Sequence, residues 1–187
     1  IAPTSRASAL PPPRGLKAVV SGRCSLAPGR PVQAFIQSGQ PALAVDQMRI
    51  AHGVDVAAEA LAGAQPLLAS GTVLVYSTAD VNAVESVQSA IGADKAGAMV
   101  EHALAAITCG LVERGVRQLI VAGGETSGAC VQALGISRMQ IGAQIEPGVP
   151  WCHAQTPVAP DDGLHLALKS GNFGTDGFFS KAFTMLS

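Results

Sequence analysis

The stretch Gly123-Gly124-Glu125-Thr126-Ser127-Gly128 sets two adjacent glycines, a carboxylate and two hydroxyls directly after the apolar run Leu119-Ile120-Val121-Ala122. Glycine lets a backbone approach an anion with no Cβ in the way. A helix starting near Thr126 or Ser127 would aim free N–H groups and its positive dipole end at the loop. The chemistry such a turn suits is the binding of a phosphate or another small anion. The alternative is a plain helix start that Thr126 or Ser127 merely caps. Generic motifs do not decide between them. A Walker A loop needs Lys and then Ser or Thr after its last glycine, and Gly128 is followed by Ala129 and Cys130. The dinucleotide pattern GxGxxG does not fit this stretch either.

Two further loops of similar composition follow apolar runs. They are Ser21-Gly22-Arg23-Cys24-Ser25 and Ser170-Gly171-Asn172-Phe173-Gly174. In open α/β sheets, ligands bind beyond the carboxyl ends of the strands, so the three loops could share one crevice. Glu125 is a candidate Mg²⁺ contact or else a solvated helix-start charge. Lys169 could reach a phosphate as a point charge or be solvated at a strand end. Asn172 and Asp176 are weaker candidates, and Asp176 reads better as a helix N-terminal charge. Trp151 could stack on a base or fill the core. No Ser–His–Asp or Cys–His set follows from spacing, so no catalytic residue is assigned.

The elements that must position these loops alternate. Strands are expected over residues 17–25, 41–45, 72–78 and 117–124. Helices are expected over 30–39, with Pro31 in the first turn, and over 94–114, with Asp94 as N-cap and Gly115 at the C-terminal end. A weaker helical pattern, 55–69, is interrupted by Gly63 and Pro66. The helix after the central loop is expected over 127–135. Strands 139–145, 149–154 and 164–169 and a final helix, 176–185, complete the chain. Near-continuous apolar strands alternating with helices predict an α/β fold, a layered sheet with helices on both faces and mixed strands in the C-terminal third.

Residues 1–15 hold three consecutive prolines and read as a linker or arm from a preceding domain. Residues 16–187 read as one domain with a sizeable core, and Ile1 at the start suggests a fragment of a longer protein. Apolar residues make up 48% and charged residues 13%, which excludes a disordered chain. A formal net charge of −1 gives no global attraction for nucleic acid or an anionic membrane. The longest nearly apolar stretch, 103–112, is short for a bilayer span, and no signal-peptide pattern is present. Four dispersed cysteines fit free thiols in a reducing cytoplasm, and the scattered histidines give no protein-bound metal. The oligomeric state is left open, a homo-oligomer included.

The stretches VAGGETSGACVQALG, IGAQIEPGVPW and LALKSGNFG resemble the C-terminal nucleotide-binding domain of the four-carbon acid sugar kinases. VVSGRCS and YSTADVNAV are similar to earlier stretches of that domain, so the resemblance covers residues 17–183. It implies ATP and Mg²⁺ as cofactors and a four-carbon sugar acid held mainly by an N-terminal domain. It puts the ATP contacts on Ser21, Gly123, Gly124, Glu125, Thr126 and Gly171. The wording GGET and EPGVPW is closest to members that phosphorylate the 4-hydroxyl of a 3-oxo-tetronate, with D-threonate or D-erythronate as alternatives. Arg23 stands where relatives often carry a smaller residue. From the residues alone, a non-catalytic nucleotide-binding module on the same fold stays open. A Rossmann-type oxidoreductase is disfavoured by the missing GxGxxG and by the lack of an acidic residue about 20 positions after a first glycine loop.

Overall fold

The computed structural model describes residues 9–22, 29–78, 85, 89, 92–171 and 174–186. Arg23, Cys24, Ser25, Asn172 and Phe173 lie outside the described residues. Among those described, seven strands form one sheet in the order β2-β3-β1-β4-β7-β6-β5. The strands are β1 (Leu16–Ser21), β2 (Ala42–Asp46), β3 (Val73–Thr78), β4 (Val116–Ala122), β5 (Gln140–Glu146), β6 (Val149–Thr156) and β7 (Ala159–Lys169). The helices are α1 (Arg30–Gln37), α2 (Gln47–Ala51), α3 (Val56–Leu68), α4 (Ala93–Glu113), α5 (Gly124–Ala133) and α6 (Phe178–Leu186).

Strands β2, β3, β1, β4 and β7 run parallel, and β5 and β6 are antiparallel additions at one edge. The expected α/β class and mixed C-terminal third are therefore present. One consequence is functional: β7 closes a meander yet pairs parallel to β4. Its carboxyl end thus lies beside those of β1 and β4.

Side chains alternate across the sheet with period 2, and each face has its own core. Val20, Val75, Leu119, Val121 and Leu166 pack under α3, α4 and α5. Val19, Leu74, Ile120, Trp151 and Ala167 pack under α1 and α6. Trp151 is 1% exposed and donates its indole N–H to the Ala182 carbonyl at 2.8 Å, which pins α6 to β6. The core reading of this residue holds, and base stacking is excluded. Helix α4 is long and apolar enough to cross a membrane by length and composition. Here Leu104, Ile107 and Leu111 bury that apolarity against the sheet.

Several sequence expectations are corrected. Helix α3 is continuous through Pro66. Pro66 stands one turn from the C-terminal end, so the hydrogen bond it cannot make leaves only the exposed Ala62 carbonyl without that partner. Asp94 is not the N-cap of α4; Gly92 is, and Asp94 lies in the first turn. The last helix begins at Phe178, and Asp176 ion-pairs with Arg30 at 2.9 Å instead of serving a helix start. Both partners are exposed, so this pair contributes no more than about 1 kcal/mol. The short α2 was not expected. It forms because the Asp46 side chain accepts from the Met48 amide at 2.8 Å.

Of the N-terminal arm, residues 9–15 are described and pack on the sheet. Gln118, His165, His153 and Gln140 stand in register across β4, β7, β6 and β5. Three of them reach the arm's carbonyls: Gln118 to Arg14 at 3.2 Å, His165 to Pro11 at 2.9 Å and Gln140 to Ala9 at 3.1 Å. Burial is the main reason the His165 imidazole protonates less readily than usual; the Pro11 carbonyl opposes this and His153 adds to it. A folded-state pKa below the unfolded value means that the unfolded chain binds the proton more readily. Stability from this group is full above the ordinary value of 6.5 and is lost as pH falls below it. Urea unfolding at pH 7.5 and 5.5 should therefore show a loss at the lower pH, and His165→Gln should flatten that dependence.

Candidate nucleotide-binding site

The three glycine loops leave from three adjacent strands. Ser21 pairs in register with Ala122, and Ala122 with Lys169. The backbone ladder continues one residue further, with the Gly22 amide bonded to the Ala122 carbonyl and the Gly123 amide to the Lys169 carbonyl, both at 2.8 Å. The chain leaves β1 through α1 toward β2, and leaves β4 through α5 toward the opposite edge. The crevice between β1 and β4 is therefore the point where the winding reverses, which is where α/β sheets bind ligands.

Helix α5 begins at Gly124, three residues earlier than expected, and its N-cap Gly123 offers no side chain. Neither Thr126 nor Ser127 caps it, so the plain capping reading is overturned. The first intrahelical bond runs from the Ser127 amide to the Gly123 carbonyl at 2.8 Å. The amides of Gly124, Glu125 and Thr126 precede it and have no intrahelical acceptor. Helix α1 likewise starts without a side-chain cap, at Gly29, with Pro31 in its first turn. Two uncapped helix starts, one from each layer, thus meet the same strand ends.

The sequence-derived site residues come together here but play different parts. Ser21 is fully buried, and its hydroxyl has no hydrogen-bond partner among the described residues. Gly123 holds φ at +121°, a conformation that side-chain-bearing residues rarely adopt. Its amide is already committed to Lys169, so it contributes shape, and the free donors begin at Gly124. Gly124 and Glu125 are exposed, and a Cβ on Gly124 would meet nothing within 4 Å. Thr126 is 1% exposed and packs against Gly22, where it spaces the first loop from the second. Gly171 lines a pocket with Ser21, Gly29, Pro31, Ala122 and Lys169. Gly29 and the spacing contact between Gly22 and Thr126 are the parts that sequence reasoning missed. The signal available was that α1 begins directly after the first loop.

Among the described residues, the cysteines add no nucleophile. Cys130, on α5, is buried and has its pKa pushed up to about 12, chiefly by desolvation. Burial also raises Cys109 and Cys152. A roomier groove of about 460 Å³ lies between α2, α3 and α4, lined by Ile50, Val54, Met99 and Ala103 among others. Its lining is mainly apolar, with Lys95 and His102 as its basic side chains, and it holds no orphaned buried hydroxyl among the described residues.

The chain is similar to known proteins over most of its length. A profile of the nucleotide-binding C-terminal domain family matches residues 18–179. The 3-oxo-tetronate kinase of Pseudomonas fluorescens is 46% identical over 181 residues, 97% of this chain and 41% of that protein. That of Burkholderia multivorans is 45% identical over 186 residues, 100% of this chain and 42% of that protein. A crystal structure of a Haemophilus influenzae protein superposes with a TM-score of 0.80 at 34% identity, covering 95% of this chain and 42% of that one. The chain thus spans about two fifths of the length of the curated relatives it matches. With a matching profile over most of its length, parallel strand ends and uncapped glycine turns, the chain belongs to the family of nucleotide-binding C-terminal domains.

Proposed function

We propose that this chain is the ATP-binding part of a sugar-acid kinase, which transfers the γ-phosphate of ATP to a four-carbon acid sugar. The observation that carries this reading is the row Ser21–Ala122–Lys169 under two uncapped helix starts. It combines a buried hydroxyl without a partner among the described residues, a buried ammonium and amides with no intrahelical acceptor at one strand edge. The names of the relatives supply the acid-sugar class. Ser21, the amides of Gly124, Glu125 and Thr126, and the turns at Gly123 and Gly171 are the proposed ATP contacts. Glu125, exposed at the mouth, is the carboxylate placed to hold Mg²⁺ directly or through water. The bound ion offsets phosphate charge.

Phosphoryl transfer proceeds largely through positioning and charge stabilisation, and needs no nucleophile from this chain. The acceptor hydroxyl attacks the γ-phosphorus in line, the bond to the ADP oxygen breaks, and the hydroxyl proton leaves to a base. That base and the acid sugar's contacts belong to a preceding domain, to which residues 1–15 form the connection. The preferred acceptor is the 4-hydroxyl of a 3-oxo-tetronate, with D-threonate or D-erythronate next. ATP use places the activity in the cytoplasm.

The test is ADP release by the full-length protein with Mg·ATP and each four-carbon acid in turn, for wild type and Gly124→Ala. Gly124 leaves room for a Cβ within the protein, so the variant should keep its melting temperature or gain up to about 1 kcal/mol. The added methyl should nonetheless lower turnover at least tenfold, because it stands where the phosphates approach. Transfer to none of the acids would reject the kinase reading. Full activity in the variant would remove the loop from the site.

A further inference from the structure

Lys169, the last residue of β7, is 6% exposed. Its ammonium lies over the Phe178 ring, 5.3 Å from the centroid. No carboxylate lies within ion-pair distance of it among the described residues. In sequence, residues 21–29 and 170–174 contain no acidic residue. The nearest acid after them, Asp176, is engaged by Arg30 at 2.9 Å. Taking an ammonium out of water without a counter-charge is unfavourable. A ring face offsets only part of that.

The surroundings hold this cation in place. Its backbone carbonyl accepts from Gly123 at 2.8 Å, so the side chain springs from the frame that fixes the central loop. Gly174 has φ +153°, and a Cβ there would come within 2.9 Å of the Lys169 Cε and 3.3 Å of its Nζ. The missing side chain at Gly174 leaves the space the Lys169 stem uses. The ammonium shares its pocket with Ser21, whose buried hydroxyl also has no partner among the described residues, and with the uncapped start of α1. A cation, a hydroxyl and a helix start converge on one spot.

We propose that Lys169 is the residue that grips the phosphate chain of the bound nucleotide and that the Phe178 face and Gly174 keep it positioned to do so. This rests on the nucleotide reading above. Lys169 supplies the counter-charge, while the glycine-loop amides supply direction.

The test is equilibrium binding of Mg·ATP and of adenosine to the full-length protein, for wild type, Lys169→Met and Lys169→Arg. Methionine keeps an unbranched stem over Phe178, so the ligand-free melting temperature should not fall. Lys169→Met should weaken ATP about 10- to 150-fold and leave adenosine within about twofold, and Lys169→Arg should recover part of the ATP loss. Equal ATP affinity in Lys169→Met and wild type would overturn the proposal while leaving the nucleotide reading intact. Parallel losses of ATP and adenosine would also overturn it, because they mark a purely structural role. Wild-type protein that fails to bind ATP would reject the nucleotide reading and this proposal together.

Discussion

Gly22→Ala should uncouple the first two glycine loops and abolish nucleotide binding. Gly22 follows β1 with its amide fixed to Ala122 at 2.8 Å, so the backbone has little freedom to retreat. An added Cβ would overlap the Thr126 hydroxyl and come within 2.8 Å of the Thr126 Cβ. Thr126 is 1% exposed on the first turn of α5 and cannot swing into solvent without moving that helix. Overpacking of this kind costs about 1–3 kcal/mol. In a chain this size that lowers the melting temperature by roughly 2–12 °C. The functional loss should exceed what the stability loss explains, because the Gly124–Thr126 amides would shift together. Adding Thr126→Ala removes the hydroxyl overlap but keeps the two Cβ atoms too close, so recovery should be partial. Melting temperatures and ATP affinities for the two single variants and the double variant check this. Independent, additive effects would mean that the loops are not in contact.

Trp151→Ala should give the largest loss of stability among the substitutions considered. The indole is 1% exposed and packs against Phe183 with ring centroids 5.8 Å apart. Removing a buried Trp side chain costs about 3–5 kcal/mol, or on the order of 10 °C for this chain length. Trp151→Phe separates two contributions: it keeps an aromatic ring but leaves the Ala182 carbonyl without its 2.8 Å donor. Ala182 keeps its bond within the helix, so losing this second hydrogen bond costs about 0.5–1.5 kcal/mol. Both variants should loosen α6 first, since Trp151 fixes that helix from the sheet. Amide exchange across Phe178–Leu186 should therefore accelerate more than exchange in α4, which packs on the other face. Because α6 carries Phe178, the platform under Lys169, the packing of one core residue feeds directly into the site.

These results follow from features that differ in how far the chain discloses them. The apolar runs ending at Ser21, Ala122 and Lys169 can be read as strands, and the polar glycine turns after them as strand-end loops. Their convergence could be expected from the α/β pattern, but it depends on β7 pairing parallel to β4, and nothing local in LALK states that direction. The sequence predicts the start of α5 three residues late because Gly123 and Gly124 are poor helix formers. Tertiary context overrides that: Gly123 takes φ +121° and turns the chain straight into the helix. The burial of Lys169 was hidden because its ring partner, Phe178, lies on another element. The arm's docking was hidden for a related reason. Gln118, Gln140, His153 and His165 stand on four strands, and only the register brings them into one row.

If nucleotide phosphates sit at the carboxyl edge of β1, β4 and β7, ATP should perturb the amides there before any others. The most direct measurement is the amide NMR spectrum of this 187-residue chain, titrated with Mg·ATP. The largest shifts should fall on Gly22, Gly124, Glu125, Thr126 and Gly171, while Ile50, Val54 and Met99 in the α2–α3–α4 groove stay still. Shifts centred on that groove, with the glycine loops unmoved at saturating ATP, would contradict that placement of the phosphates.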